Sequence, residues 1–565
     1  MTSVSSPGDL LKSARRLVLA GMILLAVSCG RQSQPAPGAS AAADPNALTV
    51  SFLYSSEKEE WLKAVTAEFN QSRTALPTGK TIAVEAVPMG SGDMITEILA
   101  GNRQPHLISP ASQLFLKDGN DKSVTATGQP LTGPAVNLVL SPVVVAMWKP
   151  MAEALGWPAK PIGWAEIHAL ATDGRGWAAR GFPQWGKFRF GHTHPDYSNS
   201  GMLAILAEIY AGAGKQRGLT AADLENPAVG GYLRTIESAV VHYGESTGFF
   251  GQKLFSGGPS YLSAAVLYEN MVVGSTGKTD LPLVAVYPQE GTFWSDHPAA
   301  IVNRPWVSAD QRAAAQAYLD YLMGKSCQER ALALGFRPGD PSVPLASPID
   351  PAHGVDPAQP RTLLEIPPSG VTAAARALWA ANKKRSDITL VIDISGSMQE
   401  QEKMKYAREG AAKFVSALGD EDTLSVVAFN GGISVLMDRQ PLGASREVLL
   451  RRIAGLVPLG GTALYDATGS AHEDLMRTAA PDRIPAIVVL SDGADSASKI
   501  FTLDRLLASL NPGAEGGGIR IFTIAYGSDA KKDVLERIST ATQGRVYTGS
   551  PKDIDRVFRD IATFF

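Results

Sequence analysis

The sequence predicts an α/β protein built from more than one body, and three observations carry that reading. Apolar runs rich in β-branched residues alternate with helical patterns, as at Leu48–Tyr54 and Thr81–Val87 early on and at Ile388–Ile392 and Ile484–Leu490 later. Strands separated by helices imply parallel sheets with helices on their faces. A chain of 565 residues is too long for one core, so two or three domains are expected. Finally, Pro341 to Pro368 is dense in proline and reads as an ordered-to-extended connector. Leu363, Leu364 and Ile366 within it are placed to dock on the body before it.

Composition sets the class. With 45% apolar and 19% charged residues the chain supports folded cores. A net charge of -3 and a pI near 6.3 give no field for nucleic acid, so a nucleic-acid partner is not expected. Lys12, Arg15 and Arg16 precede an apolar run from Leu17 to Val27, too short to span a bilayer and suited to a signal-peptide core. It leads into Ala26-Val-Ser-Cys29, which resembles the lipobox of bacterial lipoproteins with Ala26 where leucine is preferred. The resemblance implies a signal peptide over 1–28, lipidation of Cys29 and attachment to the cell membrane facing the periplasm or exterior. Residues 29–46, rich in Pro, Ala, Ser and Gln, read as a flexible tether. Cys327 is the only other cysteine and sits in a helical pattern, as a buried small residue would.

The first body, 47–343, opens βαβαβ. A strand at Leu48–Tyr54 precedes a helix from about Glu57 to Gln71 with Trp61, Leu62, Val65 and Phe69 on one face. A strand at Thr81–Val87, the turn Gly90-Ser91-Gly92, a helix to about Ala100 and a strand near His106–Ser109 follow. Val136 to Met147 is apolar but crosses Ser141-Pro142, where the proline predicts a break or an edge. Helices are expected over Trp164–Ala171 and Met202–Ala211, and Leu283–Tyr287 is a strand. Ser308-x-x-Gln311 has capping-box spacing for a helix to about Met323.

Ser55, Ser91, Ser109 and Ser200 lie where strands end or helices begin, and helix N-termini favour anions and polar oxygens. They either line one cleft or each cap their own helix. Order and local marks here resemble a type II periplasmic solute-binding protein: Pro195-Asp-Tyr-Ser-Asn-Ser-Gly201, Tyr287-Pro-x-Glu290-Gly291 and Gly335-Phe336-Arg337-Pro338. The resemblance implies two lobes closing on a small polar or anionic solute, with Val136–Met147 and Leu283–Tyr287 as the crossing strands. His192-Thr-His194 and His297 suit neutral surface or hinge histidines better than a transition-metal site.

A helical pattern over Thr372–Lys383 closes the 344–384 connector and leads into the last body, 385–565. There Ile388–Ile392 reads as a strand buried on both faces, ending in Asp393-x-Ser395-x-Ser397. Gly460-Gly461-Thr462 adds a hydroxyl after a tight turn, and Leu490-Ser491-Asp492-Gly493 adds a second carboxylate. Hard oxygen donors of this kind suit Mg²⁺ or Mn²⁺. DxSxS, Thr and Asp in this order resemble the metal-ion-dependent adhesion site (MIDAS) of a von Willebrand factor type A (VWA) domain. That resemblance implies a doubly wound Rossmann-like sheet with Asp393, Ser395, Ser397, Thr462 and Asp492 around the metal. It further implies a protein partner that offers an acidic side chain to the metal. Neither a nucleophile triad nor a Walker loop nor a GxGxxG occurs, and Gly513–Gly518 precedes a strand, as a loop does.

The sequence thus predicts a two-lobed periplasmic-binding-protein-like domain followed by a VWA domain, acting by binding and not as an enzyme. The alternative is the substrate-binding receptor of an ABC-type transporter, with the VWA domain as assembly module.

Overall fold

The computed structural model describes residues 47–480, 482–510, 518–542, 544–551, 553–562 and 564–565. The signal peptide, the tether, Cys29 and most of the glycine-rich loop after residue 510 lie outside them. Asn46–Phe565 forms one compact unit. Among the described residues no helix is long and apolar enough to cross a membrane.

In chain order the strands are Ala47–Ser55 (β1), Thr81–Met89 (β2), Leu107–Ser109 (β3), Thr132–Asn137 (β4), Val139–Trp148 (β5), Phe190–Gly191 (β6), Ala264–Tyr268 (β7), Leu283–Val286 (β8), Trp294–Ser295 (β9), Pro298–Val302 (β10) and Arg337–Pro338 (β11). The first sheet has the order β2-β1-β3-β10-β4 and makes lobe one. β1 pairs parallel with β2 and β3, as the βαβαβ opening requires. The Glu59–Gln71 helix buries Trp61, Leu62, Val65 and Phe69 against this sheet. The second sheet runs β11-β5-β7-β6, with β8 and β9 also pairing with β5, and makes lobe two.

Two segments pass between the lobes, and only one of them is the segment the sequence indicated. β4 and β5 form the first crossing, with the break at Leu138. Pro142 sits inside β5, buried, where the strand changes partner: Ser141 and Pro142 face β9, and Val143 onward faces β7. A proline is tolerated because its missing N–H falls at that exchange. The second crossing is β9 to β10, not Leu283–Tyr287, since β8 pairs with β5 wholly inside lobe two. His297 turns this crossing with φ of 37°. Ser308 caps the Ala309–Leu322 helix through the expected box, its hydroxyl accepting from Gln311 N–H at 3.3 Å.

Of the connector's three apolar residues only Leu364 docks. Its N–H donates to Thr292 O at 2.9 Å, while Leu363 and Ile366 face solvent. The Ser369–Asn382 helix then lies on lobe two. Trp379 is buried with its ring 4.8 Å from that of His194 and 5.2 Å from that of Tyr243. Asn382 Oδ1 accepts from Arg234 at 2.8 Å.

The last body holds Ser386–Asp393 (β12), Thr423–Phe429 (β13), Ile433–Pro441 (β14), Ile484–Ser491 (β15), Arg520–Tyr526 (β16) and Val546–Gly549 (β17) in the order β14-β13-β12-β15-β16-β17. Every pair is parallel except β13 with β14. All eight residues of β12 are buried, so its central run, Ile388–Ile392, has no solvent face to alternate toward. The doubly wound sheet brings the ends of β12 and β15 to one edge. The Ile554–Ala562 helix packs on the Lys403–Ala417 helix and reaches lobe one, where Arg559 donates to Glu97 at 2.9 Å.

Candidate functional site

At the edge of the last sheet four of the five expected donors are joined by hydrogen bonds. Ser395 N–H donates to Asp393 Oδ1 at 2.8 Å, the Ser395 and Ser397 hydroxyls lie 3.1 Å apart, and Ser397 donates to Asp492 Oδ1 at 2.7 Å. Thr462 lies alongside, since a Cβ placed on Gly493 would stand 3.8 Å from Thr462 Oγ1 and 3.9 Å from Ser397 Oγ. Neighbouring side chains fix its turn. Ser496 Oγ accepts from Thr462 N–H at 3.0 Å, and Asp466 accepts from the N–H groups of Lys499, Ile500 and Phe501. The sequence reading gave Asp466 no role, yet it ties the Thr462 helix to the loop that follows Asp492.

Burial dominates the electrostatics. Asp393 is fully buried, and desolvation raises its pKa. Hydrogen bonds from Ser395 and Ser491 oppose that rise, and the charge of Asp492 adds to it. Two further contacts were not legible in the sequence. Ser491 donates to Asp393 Oδ2 at 2.6 Å, and Lys403 places its buried ammonium 2.8 Å from Asp492 Oδ2. Two carboxylates and three hydroxyls, all hard oxygens drawn from three turns, fit Mg²⁺ or Mn²⁺. Lys403 is a competing cation at one of them.

The four serines of the first body flank the seam between the lobes, but each bonds within its own lobe. None caps a helix. Ser55 donates to Glu57, and Ser91 Oγ accepts from Ala111 N–H at 2.9 Å. Ser109 Oγ accepts from Lys58 Nζ at 2.6 Å, and Ser200 bonds Thr193 and Thr247 at 2.8 and 2.9 Å. Lys58 is fully buried, and desolvation, opposed by the charge of Glu57, brings its pKa down to about 7.

Backbone and hydroxyls close the seam directly. Ser56 Oγ lies 2.9 Å from Ser246 Oγ and accepts from Gly248 N–H at 3.0 Å, and Gly92 N–H donates to Tyr197 O at 2.8 Å. A Cβ on Gly92 would stand 1.9 Å from Asp196 O, so only glycine permits this approach.

The three histidines do not converge, and all are buried, against the surface placement expected for some of them. His297 lies at the crossing, 3.1 Å from Glu57, and burial pulls its pKa down to about 4. His194 packs on Trp379, and His192 meets Glu237.

Two lobes crossed by two strands, followed by a doubly wound domain with an oxygen-lined sheet edge, define a modular binding protein. The chain belongs to the bacterial extracellular solute-binding protein family, whose profile matches residues 50–337, and it carries a von Willebrand factor type A domain matched over 387–556. It is 24% identical over 315 residues to the uncharacterized protein MT1884 of Mycobacterium tuberculosis strain CDC 1551, and equally to Rv1836c of strain H37Rv. That similarity takes in 53% of this chain and 44% of the relative, so the chain spans less than half the relatives' length. Among solved structures it is similar to a von Willebrand factor type A protein from Catenulispora acidiphila (25% identity, 32% of this chain and 42% of that one, TM-score 0.29). It is also similar to the sulfate-binding protein SubI from M. tuberculosis H37Rv (18% identity, 52% and 88%, TM-score 0.36).

Proposed function

We propose that the chain is an extracytoplasmic binding protein, lipid-anchored through Cys29, whose VWA domain engages a protein partner through Mg²⁺ or Mn²⁺. The observation that carries the reading is the meeting of Asp393, Ser395, Ser397 and Asp492 in one hydrogen-bonded group, with Thr462 alongside. When bound, the ion offers an open positive position to an acidic side chain of the partner. Asp393 and Asp492 supply the charge that attracts the ion, and the three hydroxyls set its geometry. The function is recognition, with no reaction assigned to the site.

The solute-binding-like body serves in this reading as a closed platform. Its polar groups bond one another across the seam, and Arg559 to Glu97 ties the VWA domain to lobe one. A transport receptor for a small polar or anionic solute needs a clamp that opens, and these contacts oppose opening.

The test is retention of envelope proteins on the immobilised full chain, in Mg²⁺ and in chelator, for wild type and Asp393→Ala. A partner held only by wild type with Mg²⁺ is expected. An identical retained set in all four arms refutes the proposal.

A further inference from the structure

A second group of ligand-type side chains lies in the core of lobe two, apart from the sheet edge of the VWA domain. His192 follows β6, Glu208 is on the Asn199–Ala213 helix, and Glu237 is on the Pro227–Ser238 helix. All three are fully buried, and one ligand atom from each lies within 4.8 Å of the others. His192 Nε2 is 3.0 Å from Glu237 Oε1.

Two independent features point to a cation. Both carboxylate oxygens of Glu208 are buried without a hydrogen-bond partner among the described residues. A bare carboxylate in a dry core is costly unless a proton or a metal neutralises it. The outer contacts also have the form that metal sites use. His192 Nδ1 lies 2.8 Å from Thr193 O, and donation there leaves the Nε2 lone pair facing the two glutamates. Tyr243 donates its hydroxyl to Glu237 Oε2 at 2.7 Å, which orients the second carboxylate.

We propose that His192, Glu208 and Glu237 bind a divalent transition-metal ion of the zinc class, stapling two helices and the end of β6. One imidazole nitrogen with carboxylate oxygens suits such an ion better than Mg²⁺. Glu208 can chelate through both oxygens, so three residues supply four donor atoms.

The experiment uses the full chain carrying Asp393→Ala, which disables the sheet-edge site, so the two proposals stand or fall separately. The protein is refolded with Zn²⁺, dialysed, and examined for metal content and by zinc X-ray absorption. The sheet-edge donors include no histidine, and imidazole scattering that is lost in His192→Gln assigns the zinc to lobe two and not to another of the eight histidines. One zinc per chain with an imidazole ligand is expected. Glu208→Gln should lose that ion, and Tyr243→Phe, which keeps all three ligands, should weaken it about tenfold. Zinc-free protein, zinc without imidazole scattering, or Glu208→Gln that holds zinc as tightly overturns the site. The spectrum of the unsubstituted trio decides the matter if Glu208→Gln fails to fold.

Discussion

Replacing Lys403 by methionine separates the metal reading from a merely structural one. The substitution keeps much of the stem volume and deletes an ammonium that lies 2.8 Å from Asp492 Oδ2, with both side chains essentially unexposed. Removing one partner of a buried pair costs about 3–5 kcal/mol, because the other charge is stranded. Asp492 keeps the Ser397 hydrogen bond at 2.7 Å, so the lower end, about 3 kcal/mol, is expected in chelator. In saturating Mg²⁺ the ion supplies the missing positive charge, and no ammonium competes for Asp492. Recovery of about 2.7 kcal/mol would correspond to about 100-fold tighter Mg²⁺ binding in the variant. Urea unfolding followed by circular dichroism, in EDTA and in Mg²⁺, with calorimetry of Mg²⁺ binding, gives both numbers. Equal destabilisation in the two buffers, or weaker Mg²⁺ binding in Lys403→Met, refutes an ion at Asp492.

Calorimetry with Mg²⁺ and Mn²⁺ should show binding abolished by Asp393→Ala and only weakened by Ser395→Ala, since one change deletes charge and the other a neutral donor. Equal affinity of Asp393→Ala and wild type would contradict this. Gly92→Ala should wedge the lobes apart at a cost of about 1–3 kcal/mol, read as a larger radius of gyration by scattering; an unchanged radius would show that the backbone yields elsewhere. Burial and the charge of Asp560 hold Asp93 up at about 8, and burial with the charge of Glu245 holds Asp560 up at about 7. Both stay protonated when folded but ionise near 3.8 when unfolded, so their contribution is full in acid and lost as pH rises through 7 to 8. Hydrogen exchange in the Ile554–Ala562 helix should therefore quicken from pH 5.5 to 8.5 beyond the intrinsic rate, and Asp93→Asn should flatten that rise; an unaltered profile in the variant counts against it. Cys29→Ala should release the protein from membranes, and a variant that survives a carbonate wash would argue against a lipid as the sole anchor.

In the VWA domain Ile388–Ile392 and Ile484–Leu490 were legible because they are continuous apolar runs, and Asp393, Ser395, Ser397 and Asp492 follow them within a few residues. Lys403 was not, since a lysine at the start of an amphipathic helix reads as a solvated charge until the fold buries it. The second crossing strand was misplaced for a similar reason. Leu283–Val286 is apolar and looks like a spanning strand, whereas the segment that spans, Trp294 to Val302, contains Ser295, Asp296, His297 and Pro298. The four serines share no direct bond, since Ser55, Ser91 and Ser109 bond within lobe one and Ser200 bonds within lobe two. The seam's own bond, Ser56 to Ser246, was unreadable because it joins residues 190 positions apart on opposite lobes.

The Ser369–Asn382 helix has a consequence for how such a chain diverges. It stands before the VWA domain in sequence but lies on lobe two, where Trp379 packs on Tyr243 and Asn382 receives Arg234. Tyr243 in turn donates its N–H to Phe564 O at 3.3 Å, and Lys383 donates to Phe565 O. Residues from the first body, the connector and the segment after the Ile554–Ala562 helix therefore share one joint. A change at Trp379, Tyr243 or Phe564 has to be answered across the boundary, so lineages that keep both modules should alter these positions together. A lineage that exchanges the VWA domain for another must rebuild the surface of lobe two.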